Sequence, residues 1–575
     1  MQNNIPRPEH PNPQWERAGW RNLNGVWEFD FDFGRSARDR QLFKSNEKLA
    51  REINVPFCPE SRLSGVAYTD FMDAVCYRRA FELSESELSG RVFLHFGAVD
   101  YKAYVYINGT LAGTHKGGYS SFAFDITGLV KAGENTLFVI AEDDVRSGRQ
   151  PKGKQSSLYA SHGCDYTRTT GIWQTVWLEF TPKEYIRYAK YFTDIEAGTL
   201  TIIGETVGAG RLTVESSFEG AATGSAETEC VGGGFCLTLK LTEKHLWELG
   251  KGGLYELVLS FGGDKVKSYF GLRSVALEGM KFMLNRKSVF QRLVLDQGFY
   301  PEGIYTAPTE ADLIKDIQLS LDAGFNGARL HQKVFEPRFL YHCDRLGYMV
   351  WGEQGNWGLD YGAPQSTEIF LNEWMEVVAR DFNHPAIIGW CPFNETWSYV
   401  ETDTTNTLLS TIYNMTKLYD PTRPIIDTSG GFHHITDIYD VHDYNQDPVS
   451  FKASYDRLTT EGVLHDWLAQ HFKDKTQTYR GEPVMVSEYG GIQWNVGGNS
   501  GWGYGTAPKD AEEFIERYKG LTEALLGNKS LLGFCYTQLY DIEQEINGLY
   551  TYDRKPKFDI GIFKAITSQK AAIED

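Results

Sequence analysis

No run of lysine or arginine occurs anywhere in the 575 residues, and acidic groups outnumber basic ones 76 to 57, for a formal charge of −19. That balance argues against nucleic acid and anionic membrane as partners. No stretch reaches about 18 consecutive apolar residues. The opening MQNNIPRPEHPNPQWERAGW also lacks the apolar core of a secretion signal. The expectation is a cytoplasmic protein that neither spans a membrane nor is exported. The eight cysteines, at 58, 76, 164, 230, 236, 343, 391 and 535, have neither CxxC nor metal-ligand spacing. Cys391 and Cys535 fall inside apolar runs and read as small buried hydrophobes in a reducing compartment. The phosphate-cradling Gly-x4-Gly-Lys-Ser/Thr loop is missing as well, and no cofactor is expected.

What is abundant is aromatic surface: 14% Phe, Trp and Tyr, with 14 Trp and 32 Tyr. Most must be core, but such a content also suits stacking on the apolar faces of pyranose rings. The length exceeds what one hydrophobic core fills and calls for about three domains.

Residues 1–182 read as all-β. Short alternating runs such as GVWEFDFD, RVFLHFGAV and TLFVIAEDD are separated by turns, and Asn108-Gly109 is a hairpin pair. Many short strands without helix imply a jelly roll or sandwich. The long polar and aromatic loop RQPKGKQSSLYASHGCDYTRTTGIW is expected to be functional or to dock on a neighbouring domain. Residues 183–274 form a second β segment of immunoglobulin-like size. Its biased patch GAATGSAETECVGGGF suits a hairpin tip or mobile loop.

From 275 to 575 the periodicity changes. Apolar runs alternate with helical patterns, predicting eight strand-helix units of a (β/α)8 barrel, with any active site at the C-terminal ends of the strands. The strands proposed are VFQRLV, FNGARL, YMVWGE, IIGWCPF, PIIDTS, IYDVHDY, PVMVSE and LLGFCYT. In EADLIKDIQLSLDAG, Leu313, Ile314, Ile317 and Leu321 share a helix face.

The chain is organised around AIIGWCPFNETW, an apolar strand that breaks into Asn394-Glu395, and strand seven ends in Glu488 of VMVSEYGG. In a closed barrel these strands face each other, so the two carboxylates meet in one space. Two carboxylates flanking a pocket, one protonated and one ionised, are the equipment of glycoside hydrolysis. For either Glu taken alone, an ion pair with a loop Lys or Arg is an even alternative.

The sequence resembles glycoside hydrolase family 2, the group of β-galactosidases, β-glucuronidases and β-mannosidases. The resemblance is carried over nearly the whole length by PFNETW, VSEYGG, GVWEFDFD, YTRTTGIWQTVWLE, GLRSV, GFNGARL, RDFNHPAIIGW and NGLYTYDRKPK. It implies an N-terminal jelly roll, an immunoglobulin-like domain and a catalytic barrel. It implies Glu395 as general acid/base and Glu488 as nucleophile of a retaining double displacement, with Asn394 on the sugar 2-OH and Tyr444 on the nucleophile. Arg329 is expected beside Glu488, where a structural salt bridge has nearly the same geometry. His331 stands one place earlier than the family's Arg-x-x-His pattern and is a substrate contact or a buried satisfied histidine.

Tyr536 takes the place of the family's platform Trp. Trp351, Trp357, Trp397 and the loop with Trp494 and Trp502 are candidate walls or lid, and Asp443 is a spare carboxylate for hydroxyls. Metal-requiring members carry Glu-x-His after strand three, where this chain has Glu353-Gln354-Gly355-Asn356-Trp357, so no metal is expected. β-Glucuronidases carry Asn-x-Lys where this chain has Glu545-Ile546-Asn547. An acidic residue there would repel a uronate. The expectation is an exo-acting β-glycosidase for a neutral terminal sugar, a β-galactoside or its pentose analogue, an α-L-arabinopyranoside. β-Glucuronidase, β-mannosidase, a transglycosylase and a non-catalytic carbohydrate-binding protein on the same scaffold remain alternatives. Homo-oligomerisation is left open.

Overall fold

The computed structural model describes residues 5–397, 402–496 and 501–574. Two antiparallel sheets form the N-terminal part. A six-stranded sheet runs Arg51–Val55, Gly25–Phe31, Ala74–Leu83, Gly133–Glu142, Lys102–Ile107, Thr110–Lys116. A four-stranded sheet runs Trp20–Asn22, Val176–Thr181, Arg91–Phe96, Phe122–Asp125. Alternation does the sorting: Trp27 and Phe29 of the first long strand turn into the core with Val75, Tyr77, Val105 and Val139, while Val26 remains exposed. Asn108 and Gly109 both have positive φ, 50° and 78°, as a type I′ hairpin requires.

The second segment is a sandwich of a three-stranded and a four-stranded sheet around Leu200, Ile202, Val214, Leu257 and Val266. The expected hairpin tip or mobile loop at 220–235 is a tip only at Glu219-Gly220, where Phe218 pairs with Ala221. Ala221–Cys230 is an edge strand of ten residues, paired along its length with Gly210–Phe218. Small residues did not prevent the ladder, because Arg211 reaches Glu227 and Glu229 across it and Ser216 bonds Thr223. Such cross-strand pairs stabilise a strand whose intrinsic propensity is weak.

All eight barrel strands occur where the apolar runs stand: Gln291–Asp296, Gly327–Leu330, Met349–Glu353, Ile387–Cys391, Thr428–Ser429, Tyr439–Asp443, Val484–Gly490 and Leu531–Thr537. Seven form one parallel sheet in the order four, three, two, one, eight, seven, six. Strand five is short. It bridges strand four through Ile425 and Trp390, and its end pairs with Phe393–Asn394, the continuation of strand four.

The fifth strand-helix unit departs from expectation, since residues 430–438 join strands five and six without a helix. Buried His433 spans that junction instead, with Nδ1 2.7 Å from Asp427 Oδ1 and Nε2 2.9 Å from the Asp440 carbonyl. Side chains thus take over where ladder bonds stop, as buried backbone and polar groups require.

The helix Glu310–Asp322 is capped by a box between Thr309 and Asp312. Its buried face is Leu313, Asp316, Ile317 and Ser320, turned from the expected apolar stripe toward Arg554. That guanidinium grips Asp316 with two contacts of 3.0 Å. Arg554 also donates to the Phe299 carbonyl at 2.7 Å and lies 3.6 Å over the Tyr540 ring. Asp316→Ala leaves this buried cation unpaired and is expected to cost about 3–5 kcal/mol, read as a lower urea midpoint at unchanged slope.

Candidate active site

Strand two delivers Arg329, whose fully buried guanidinium is the hub of the barrel mouth. Nε donates to Glu353 Oε1 at 2.6 Å, Nη1 to the Ser487 carbonyl at 2.8 Å and to Glu488 Oε1 at 3.2 Å, and Nη2 to Asn394 Oδ1 at 3.0 Å. Strands three, four and seven are tied to strand two through one planar cation. With its carbonyl oxygen held by Arg329, Asn394 keeps its NH2 as the group without a partner among the described residues. The Asn394 backbone is clasped by Asn356, N to Oδ1 2.9 Å and O to Nδ2 2.9 Å, and by Trp357 Nε1 at 3.2 Å.

Immediately after, Glu395 adopts φ +52°, a left-handed conformation that costs a non-glycine residue about 1–2 kcal/mol. It is held by the bond from Glu395 N to the Ser429 carbonyl, 2.8 Å, and it turns the Glu395 carboxyl into the mouth.

Across the mouth, Tyr444 OH donates to Glu488 Oε2. Burial by itself would raise the Glu488 pKa. The positive neighbours His442 and Arg329 and the Tyr444 bond outweigh it and bring it to about 2. His331 would help only if charged, and burial holds it neutral, well below the usual imidazole range. Tyr444 itself is stacked on Tyr504, centroids 3.5 Å apart and planes at 1°.

Between the two carboxylates lies His442. Its Nδ1 is 2.8 Å from Glu395 Oε1, and its Nε2 is 3.0 Å from Ser429 Oγ and 3.5 Å from Glu488 Oε1. Ser429 Oγ donates onward to Asp440 Oδ2 at 2.7 Å and so accepts from Nε2, and Nδ1 donates to Glu395 whenever that carboxyl is ionised, the ring then being an imidazolium. Burial opposes that charge, but Glu488 and Glu395 raise the pKa above its ordinary value.

One ligand atom from each of Glu395, His442 and Glu488 falls within 4.8 Å of the others. As a cation site the donor set is already engaged: Nε2 of His442 bonds Ser429, its Nδ1 bonds Glu395, and Arg329 and Tyr444 occupy Glu488.

Of the residues singled out in the sequence, Asn394, Glu395, Glu488, Arg329, His331 and Tyr444 converge on this space. His331 Nδ1 lies 3.2 Å from Glu353 Oε2. Four others do not face it. Trp351 crosses the barrel interior to Gln291 Oε1 at 2.8 Å. Asp443 turns outward, accepting from Asn445 N at 3.0 Å and Tyr455 OH at 3.1 Å. Trp494 packs on Phe514 and Phe558, and Tyr536 on Tyr489 and Tyr518, under the outer helix Ala511–Leu526.

For Asp443 and Tyr536 the reason is strand alternation. His442 and Tyr444 share the inner face and Asp443 the outer. On strand eight, Thr537 turns inward, 3.3 Å from Tyr444 OH, and Tyr536 outward. His442, missed in the sequence, was available from that same rule. Tyr504 had no such signal. The proposed lid is seen in part: residues 497–500 lie outside the described residues, and Trp502 Nε1 donates to the Gly163 carbonyl.

The long N-terminal loop closes the remaining side. Lys152 N donates to the Trp357 carbonyl at 2.7 Å, Thr167 N to Glu543 Oε1 at 3.1 Å, and Tyr166 OH to Glu545 Oε2. Asn547 Nδ2 reaches Glu545 Oε1 at 3.0 Å.

A parallel barrel with two carboxylates opposed at its mouth, preceded by two β-sandwich domains, defines the class of barrel glycoside hydrolases. The family profiles give the membership. The sugar-binding domain of glycosyl hydrolases family 2 matches residues 20–182, and that family's TIM barrel domain matches residues 275–570. The chain belongs to glycosyl hydrolase family 2.

A putative β-glucuronidase of Formosa agariphila is 26% identical over 60% of this chain and 43% of that protein. A β-galactosidase of Thermoanaerobacter pseudethanolicus is 27% identical over 56% of this chain and 44% of that protein. The chain thus spans under half the length of these two relatives. A solved Lactobacillus rhamnosus β-glucuronidase superposes with TM-score 0.79 at 20% identity, covering 96% of this chain and 98% of that one, a likeness of fold. No helix among the described residues is long and apolar enough to cross a membrane.

The charge on His442 is favoured by the folded site. Its stabilising contribution is therefore fully present below the ordinary imidazole pKa of about 6.5 and lost as pH rises through the higher folded value. The Tm difference between wild type and His442→Asn is expected to be widest at about pH 5–6.5 and to narrow above it, as thermal unfolding across pH would record.

Proposed function

We propose that the protein is a retaining β-glycosidase that releases one terminal sugar by double displacement. The observation that carries this reading is the spacing of Glu395 and Glu488, whose nearest oxygens lie within 4.8 Å. A nearest-oxygen approach of that size supports the close spacing of retaining enzymes, about 5–5.5 Å between carboxyl groups, over the roughly 6.5–9.5 Å of inverting ones.

Glu488, ionised and aimed inward, attacks the anomeric carbon while Glu395 gives its proton to the departing oxygen. Glu395 then takes a proton from the water that opens the glycosyl ester on Glu488. The Asn394 NH2 meets the sugar 2-OH, a bond that strengthens as positive charge develops on the ring. As Glu395 loses its proton, the His442 imidazolium at 2.8 Å stabilises the carboxylate left behind. Exo action is supported by the N-terminal loop and the Trp502–Tyr504 segment closing one side of the mouth.

The substituent at sugar C5 has two readings. A neutral β-galactoside or α-L-arabinopyranoside follows from Glu545-Ile546-Asn547 in place of a basic clamp. Both Glu545 oxygens are engaged, by Tyr166 and Asn547, so this carboxyl supports that reading less than its position in the sequence did. A β-glucuronide is favoured by the buried ammonium of Lys154, and relatives of both names exist.

Glu488→Gln is expected to lower kcat by about 10³-fold or more on the best substrate of an aryl β-glycoside panel, with the fold retained by circular dichroism and Tm lowered by the lost pairing with Arg329. Proton NMR of the wild-type reaction should show the β-anomer of the sugar first. The α-anomer appearing first, or undiminished hydrolysis by the variant, would defeat the assignment.

A further inference from the structure

Lys154 belongs to the N-terminal domain, yet its side chain ends in the mouth of the barrel. Gly153, at φ +57°, lets the loop pass over the end of strand two, where a Cβ would come within 2.4 Å of the Gln332 carbonyl. Pinning on either side fixes the segment. Lys152 Nζ donates to the Gln155 carbonyl and to Asp165 Oδ1, both at 2.6 Å, and the Gln155 side chain spans from Asp100 Oδ2 at 2.7 Å to Thr169 N at 2.8 Å.

Lys154 is 6% exposed, and its ammonium stands 4.0 Å over the Trp357 ring. Among the described residues no hydrogen bond and no ion pair within 4.0 Å reaches Nζ. Burial opposes its charge, but the fields of Cys164, Glu545, Glu395 and Glu488 outweigh it and raise the pKa. Cys164, a thiol that burial keeps protonated, adds little, which leaves the three carboxylates.

A buried ammonium without a close counter-ion is costly, and the charges around it indicate what completes it. Arg329 is already matched by Glu353 and Glu488, at 2.6 and 3.2 Å, and His442 faces Glu395 at 2.8 Å, whereas Lys154 has no such partner within 4.0 Å. A negative group on the bound sugar would complete it.

We propose that Lys154 receives the carboxylate of the substrate, so that the sugar is a β-linked hexuronic acid bound by a cation delivered from the neighbouring domain. The inference rests on the glycosidase reading above. It places the recognition of C6 on the loop at 152–155 rather than on residues 545–547. The charge selects uronic acid over neutral sugar, while the configuration at C4 is read by other groups.

The test compares kcat/KM of wild type, Lys154→Met and Lys154→Arg on aryl β-D-glucuronide, β-D-galacturonide, β-D-glucoside and β-D-galactoside, with Glu488→Gln as the dead control. Wild type is expected to prefer one uronide over its neutral counterpart by at least about 100-fold. Lys154→Met should bring that ratio to within about tenfold, mainly through KM, and Lys154→Arg should recover part of it. Should Lys154→Met fail to fold, the wild type alone decides, since free glucuronic or galacturonic acid should inhibit far more strongly than glucose or galactose. Preference for a neutral glycoside, or equal losses on both classes in Lys154→Met, overturns the role of Lys154 and leaves the glycosidase reading standing. Absence of Glu488-dependent hydrolysis of every glycoside defeats both.

Discussion

The mouth of the barrel depends on the Arg329 guanidinium. Strands three, four and seven meet strand two there, and each of the three presents a negative or carbonyl group that would repel its neighbours in the absence of the cation. Glu353, the Ser487 carbonyl, Glu488 and the Asn394 carbonyl oxygen all bond to one planar ion that is itself buried. A buried cation with every nitrogen engaged orients its partners far more tightly than an exposed ion pair. From that constraint follow the orientation of the Asn394 amide, the ionised state of Glu488 and the short separation between Glu488 and Glu395.

The second constraint is the charge of His442. It sits where two carboxylates would otherwise face each other at close range, and its two N–H groups point to Glu395 and to Ser429. Ser429 lies on strand five, the strand that pairs least with its neighbours, so His442, Ser429, Asp440 and His433 fasten through side chains what the backbone ladder leaves open. The site and the closure of the barrel are therefore held by the same polar chain. Such a network is strong only while every member is satisfied.

A barrel alone would leave this space open on one side. The loop from the N-terminal domain fills it with Lys154, Tyr166 and the backbone around Gly163, and the segment after strand seven adds Tyr504 beneath Tyr444. Residues separated by hundreds of positions in the chain, such as Tyr166 and Glu545, thus become direct partners. The walls of this space are shared between domains, whereas both opposed carboxylates stand on the barrel.

How much of this was legible in the sequence depends on the range of the interaction concerned. Apolar runs interrupted by turns determined the β-rich first half, the eight barrel strands and the two carboxylates at strand ends, because period and burial are local properties of a segment. Period two also held the information that His442 and Tyr444 share a face while Asp443 and Tyr536 turn outward. The helix-free link between strands five and six was signalled only by its shortness. The edge strand Ala221–Cys230 was hidden because cross-strand partners, not its own composition, stabilise it. What only the tertiary structure decided is which distant groups meet: Lys154 over Trp357, Tyr504 on Tyr444, Asp316 on Arg554. Those contacts arise from packing between domains and layers, and a charge in a loop reveals its role only when the loop has a place to dock.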